Sequence, residues 1–132
     1  MRSNSSVINV YKKNNIKSEV ATQLLYGDTF KKIKKSGVWI KIKNDKDNYK
    51  GYIKNNKFQH NQKNTHKICT VSATLYSKPS SKKKMKKKLS FGSKIKVLKK
   101  KDNFYKFDNY WIDKKNLISA NYKTKDTFKN IK

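Results

Sequence analysis

The sequence offers few side chains that could do covalent or metal chemistry. Cys69 is the single cysteine, so it can form no internal disulfide and no multi-cysteine metal site. A reactive cysteine needs a nearby histidine or helix N-terminus to hold its thiolate. His66 is three positions away, but along a strand that spacing puts the two side chains on opposite faces, about 10 Å apart. Cys69 is therefore read as an inert thiol. His60 and His66 lie in or beside a polar linker, and with eight Asp and Glu in the chain they suggest no metal site and no cofactor. No catalytic residue is assigned. The side chains left for recognition are aromatics and one acid. Trp39, Tyr49 and Tyr52 are the first group, and Tyr105, Tyr110 and Trp111 a secondary one. Tyr26 and Asp28 flank Gly27 in a turn.

The elements that must carry these residues emerge when the sequence is slid along itself. At an offset of 65, Tyr11 falls on Tyr76, Leu24 on Leu89, Gly27 on Gly92, Phe30 on Ile95 and Trp39 on Phe104. The first copy then carries six extra residues within 44–50. Beyond them the offset is 59, and Tyr52 falls on Trp111, Ile53 on Ile112 and Phe58 on Leu117. Apolar residues alternate with polar ones, as in Cys69, Val71, Ala73 and Leu75, which predicts one strand with Cys69 on its buried face. Turn signals recur every ~8–12 residues, as in small barrels and sandwiches. The expectation is an all-β chain of two tandem small SH3-like barrels. Their ranges are 7–58 and 68–118, after an N-terminal extension 1–6 and separated by a linker 59–67. A tail 119–132 follows, in which Tyr122, Phe128 and Ile131 suggest a short amphipathic helix. At ~50–60 residues each barrel is marginal alone, so a single cooperative melt is expected.

Composition bounds what such barrels can do. Only 34% of the residues are hydrophobic, too few for a large buried core. The formal net charge is +27, and of the 35 basic Lys and Arg residues Arg2 is the one arginine. Such a chain is drawn to polyanions. Without arginines it lacks the bidentate contacts of sequence-specific nucleic-acid reading. Lys82, Lys83, Lys84, Lys86, Lys87 and Lys88, around Met85, form a candidate anion patch. The alternative is a solvated loop and strand edge. No apolar run is long enough to span a membrane. Residues 1–13 lack a secretory apolar stretch, so the sequence as written predicts a cytoplasmic location, or a wall-associated or periplasmic one if a leader precedes it.

Each copy resembles a bacterial SH3 (SH3b) domain. Ile8-Asn9-Val10 is similar to that family's opening strand, and Gly37-Val38-Trp39-Ile40-Lys41-Ile42 to its Gly-x-Trp strand. Gly51-Tyr52-Ile53 followed by Phe58 is similar to its close. Copy two departs, with Phe104 for the tryptophan and Asn109-Tyr110-Trp111-Ile112 at the end. Thr22-Gln23-Leu24-Leu25-Tyr26-Gly27-Asp28, Asp47-Asn48-Tyr49-Lys50-Gly51-Tyr52-Ile53 and Thr65-His66-Lys67 resemble the paired SH3b domains ahead of the catalytic domain in NlpC/p60-type cysteine peptidases. Those enzymes cleave γ-D-glutamyl-diamino acid bonds of wall peptides. No segment here matches their Gly-x-Asp-Cys-Ser nucleophile motif. The resemblance implies a non-catalytic module that orients a downstream NlpC/p60-type catalytic domain on peptidoglycan-derived peptides or wall polymer. It also implies that Asp28 could hold a peptide ammonium among Tyr26, Trp39, Tyr49 and Tyr52. Tyr105 is expected to face solvent more than Phe104. The alternative from another class is a small basic, non-specific nucleic-acid-binding protein.

Overall fold

A computed structural model describes residues 1–121, so Tyr122, Phe128 and Ile131 lie outside the described residues. Two compact units divide the chain, Met1–Gln62 and a second beginning at Lys63.

The first unit has five antiparallel strands: β1 (Val7–Tyr11), β2 (Val20–Leu25), β3 (Phe30–Ser36), β4 (Trp39–Asn44) and β5 (Lys50–Lys54). Their order is β2-β1-β5-β4-β3. The second unit holds β6 (His66–Ile68), β7 (Ser72–Tyr76), β8 (Lys84–Ser90), β9 (Lys94–Ile95), β10 (Lys99–Lys101), β11 (Phe104–Phe107), β12 (Tyr110–Asp113) and β13 (Leu117–Ser119). A single 3-10 turn at Lys114–Asn116 separates the last two strands. Its main sheet runs β10-β11-β12-β7-β8, which read backwards is the order of the first unit. A smaller sheet, β13-β6-β9, completes it.

The period-two pattern explains which residues go inside. Val10, Leu24, Phe30, Ile42 and Ile53 are buried in the first unit, and Leu75, Leu89, Ile95, Phe107 and Ile112 in the second. These are the same five slots under the two offsets. Full burial of each such side chain contributes about 1.5–3 kcal/mol. The turns match too. Gly27 and Gly92 both have positive φ, 83° and 90°. The tight β3–β4 turn has Gly37 at φ 60°, and Asp102 stands in the equivalent place at φ 54°. Aspartate tolerates that left-handed conformation better than most side chains do.

Three features differ from the sequence reading. Residues 1–6 are not a mere extension. Arg2 bridges Thr29 and Gln59, and Arg2 and Ser3 are buried. The same bridges appear in the second unit as Lys67 with Lys94 and with Ile118, so residues 1–3 repeat β6. Correspondingly, the stretch expected as linker includes the start of β6. Finally, Cys69 to Leu75 is not one strand. Ile68 donates to Ser93 O and Cys69 donates to Asn116 O, which commits β6 to the small sheet. The chain must turn before it enters β7, and Val71 is left 88% exposed. Cys69 is half-buried rather than core, with Sγ 3.8 Å from Lys115 O.

Candidate functional site

Alternation along β1, β4 and β5 sends Val10, Ile40, Ile42 and Ile53 inward, and so turns Tyr11, Trp39, Lys41, Tyr52 and Lys54 outward. Directly opposed residues share a face. Tyr52 lies opposite both Tyr11 and Lys41, and Trp39 opposite Lys54. The Tyr11 and Trp39 rings meet edge to face, centroids 5.6 Å apart. The Lys41 Nζ sits 5.9 Å from the Tyr52 centroid, and the Lys54 Nζ 6.0 Å from that of Trp39. Such ring pairs contribute about 0.5–1.5 kcal/mol beyond area burial. Exposed ammonium–ring contacts contribute about 0.5–1 kcal/mol.

The second unit builds the same ladder from different residues. Tyr76 and Phe104 meet edge to face at 5.1 Å. Trp111 lies opposite Tyr76 and Lys106, and the Lys106 Nζ is 6.0 Å from the Trp111 ring. One position inverts its charge. Asp113 stands where the first unit has Lys54, and its Oδ1 accepts from the Lys115 N–H to cap the 3-10 turn.

Around the first ladder the outer face carries Lys31 and Lys34 opposite Lys43 and Lys41, and Lys50 opposite Lys43. No acid shares that register. In the second unit Lys84 and Lys88 lie opposite Tyr76 and Thr74 on the ladder's face. Lys82, Lys83, Lys84, Lys86 and Lys88 are exposed. Lys87 does not belong to that patch. It is half-buried, and its Nζ donates to the Tyr110 hydroxyl at 3.0 Å and lies 4.8 Å from the ring centroid.

Of the expected recognition residues, Trp39 and Tyr52 lie on the first unit's outer face and Trp111 on the matching ladder of the second, whereas Tyr26, Asp28, Tyr49 and Tyr105 do not. Tyr26 is 1% exposed and belongs to the core, although Phe91 in the matching slot is 65% exposed. Asp28 is also buried. Its Oδ2 accepts from the Leu25 N–H at 2.8 Å and meets the Lys46 Nζ at 3.5 Å. Lys46 comes from the six-residue insertion, so insertion and acid form a pair that neutralises Asp28 internally. In the second unit the insertion is missing and buried Ser93 replaces the acid. Tyr49 is not carried out on a loop; it packs half-buried against the first core. Tyr105 lies opposite core Ile112 rather than facing out, edge-on to His66 at 5.7 Å with Lys100 Nζ 4.9 Å from its ring. Phe104 instead joins the outer ladder. The residue that sequence reading passed over is Tyr11. Its signal was present, since it aligns with Tyr76 and neighbours inward Val10.

His66 adds a pH dependence. Thr65 Oγ1 accepts from the Val97 N–H at 2.9 Å and lies within hydrogen-bond distance, 2.8 Å, of His66 Nδ1. Burial, and secondarily Lys100, hold the His66 pKa below its usual 6.5. The unfolded chain therefore takes up the proton first as pH falls. Stability contributed by neutral His66 is complete above 6.5 and declines as pH drops from there toward the lowered value. The second unit, followed by Trp111 fluorescence, should melt at a lower temperature at pH ~5 than at pH ~8, and His66→Gln should flatten that difference. An unchanged pH profile in the variant would contradict the assignment.

Among the described residues no three His, Cys, Asp or Glu side chains group as a metal site, and no helix is long and apolar enough to cross a membrane. No curated protein matches the chain. Among solved structures, an NlpC/P60 family protein from Bacillus cereus ATCC 10987 has a similar fold, with a TM-score of 0.72 and 14% identity over 90% of this chain and 55% of that one. The chain thus spans about half the length of that protein. Residues 5–58, within the first unit, match the family model of the bacterial SH3 domain, and the second unit repeats the strand order of the first.

Proposed function

We propose that this chain is a cell-wall-associated SH3b module without catalytic activity of its own, which orients an NlpC/P60-type endopeptidase domain on peptidoglycan-derived peptides. The bacterial SH3 match and the likeness to an NlpC/P60 family protein support the class of module. The observation that carries the binding role is the outward ladder built twice, with an edge-to-face ring pair beside a third aromatic that has a lysine over it. Half-exposed aromatics bury much area on a ligand while losing little entropy, and the surrounding lysines suit carboxylate-rich peptides.

Co-sedimentation with purified insoluble peptidoglycan tests this. Wild-type chain should pellet at about 0.15 M salt, where surface charge attraction is already screened beyond ~8 Å. Trp39→Ala and Tyr52→Ala should each weaken binding about tenfold, equivalent to ~1.4 kcal/mol. Neither the wild type nor Cys69→Ala should hydrolyse γ-D-glutamyl-diaminopimelate peptides. Wild type that stays in the supernatant, or peptide cleavage that Cys69→Ala abolishes, would overturn the proposal.

A further inference from the structure

Beside the first ladder runs a groove of about 260 Å³, between the start of β1 and the chain leaving β5. Its lining includes Val7, Asn9, Tyr11, Lys54, Asn56 and Phe58, and no acidic residue. Two of its amides already have their oxygen engaged. Asn9 Oδ1 already accepts from Gln23 Nε2 at 2.8 Å, and Asn56 Oδ1 from the Lys57 N–H at 2.8 Å. Each amide therefore has its NH2 group left to offer. Lys54 adds an exposed ammonium. Three donor groups without a facing acid call for an anionic acceptor, and a carboxylate has lone-pair sites for all of them. The floor is apolar. Val7 is 47% exposed there, and Ile8 and Phe58 are half-buried beside it.

We infer that this groove binds the C-terminal carboxylate of a short peptide whose last residue is small and apolar. The carboxylate meets Lys54 and the Asn9 and Asn56 amides, and the terminal side chain rests on Val7 and Phe58. The ligand charge is opposite to that expected of a site around Asp28, because Lys46 and the Leu25 N–H already occupy that carboxylate. The second unit would lack this specificity, since Asp113 replaces Lys54 and would repel the same ligand. The inference deepens the wall-peptide reading and rests on it for the identity of the peptide.

The probes are L-Ala-γ-D-Glu-diaminopimelate-D-Ala and its C-terminal amide, titrated into the full chain to about 10 mM and followed by amide NMR shifts. The free acid should shift Asn9, Tyr11, Lys54 and Asn56, and bind about tenfold more tightly than the amide, as loss of a charge-assisted hydrogen bond requires. Lys54→Gln should bring the acid's affinity down to about that of the amide. Lys54→Arg should restore most of the preference. Equal binding of acid and amide, shifts confined to other residues, or no shifts by the acid would overturn the groove. The two proposals fail separately. Pelleting with peptidoglycan that depends on Trp39, alongside an acid that leaves the groove unshifted, removes the groove alone. Groove shifts by the acid in a chain that does not pellet remove the wall-module reading alone.

Discussion

Gly51→Ala is expected to destabilise the first unit by about 3 kcal/mol, the upper part of the range for forcing a methyl into a packed core. A Cβ on Gly51 would lie 2.6 Å from Val10 Cγ1, 2.9 Å from Tyr11 O and 3.0 Å from Tyr49 Cε1. The first and third are side-chain atoms in the core cluster or packed against it, and the second is backbone of the paired strand β1, so none can yield cheaply. Glycine is required here by the close approach of β1 to β5. Comparison of the two units shows why the sequence can afford it. Under the second offset Tyr110 occupies the Gly51 slot, and the second unit has no insertion. In the first unit the insertion brings the Tyr49 ring against Gly51, where a side chain would otherwise sit. For a unit of this size each kcal/mol moves the melting temperature by ~4–8 °C. A fall of roughly 12–24 °C should follow, read from Trp39 fluorescence in a Trp111→Phe background. Tyr49→Ala should not restore stability to the alanine variant, because Tyr11 O remains in the way. A fall of less than about 4 °C, the shift for ~1 kcal/mol, would show that β1 can move aside.

Strand period and the glycines made the repeat legible. Gly27 with Gly92, and the five shared core slots, follow from alternation and from turns that need positive φ. These are local properties, and local patterns survive without knowledge of the fold. Alternation gives the faces of a strand but not its partners. It could not show that Ile68 pairs away from β7 and breaks the Cys69–Leu75 run, nor that residues 1–3 bridge Thr29 and Gln59. Burial at matched slots was also illegible, since Tyr26 is interior and Phe91 exposed. The candidate site suffered most from long-range pairing. An acid at a turn looks available until Lys46, eighteen positions later, is found beside it. Tyr105 misled because a half-buried aromatic at the rim of a core is as consistent with an outward pattern as with an inward one. The outward placement of Trp39 and Tyr52 follows from the alternation that the paired strands β4 and β5 repeat.

Duplex DNA is expected to lose about 1,000-fold in affinity between 50 and 200 mM salt, with little regard to its sequence. The outer face of the first unit offers Lys31, Lys34, Lys41, Lys43, Lys50 and Lys54. Along a strand, same-face residues are ~6.5–7 Å apart, and neighbouring strands are separated by ~4.8 Å, so the lysines form a grid of point charges. If about six of them displace counterions, the log–log salt slope is roughly −5, and a fourfold rise in salt gives the stated loss. Lysine contacts to phosphate carry no base information. Arg2, the only residue with a guanidinium fork, is 4% exposed and donates its Nε to His60 O at 3.0 Å. It stitches residues 1–3 to the end of its own unit and is not displayed for guanine. Two unrelated duplexes should therefore bind within about threefold of each other, under ~1 kcal/mol, less than one bidentate base contact supplies. Changing Lys34, Lys41 and Lys43 to Gln should reduce the slope by nearly three. Fluorescence anisotropy across a salt series makes both measurements. Affinity that persisted at 200 mM salt, or ~1,000-fold discrimination between sequences, would place nucleic acid ahead of wall peptide as the ligand. A steep, sequence-blind slope is what a basic face does with any polyanion.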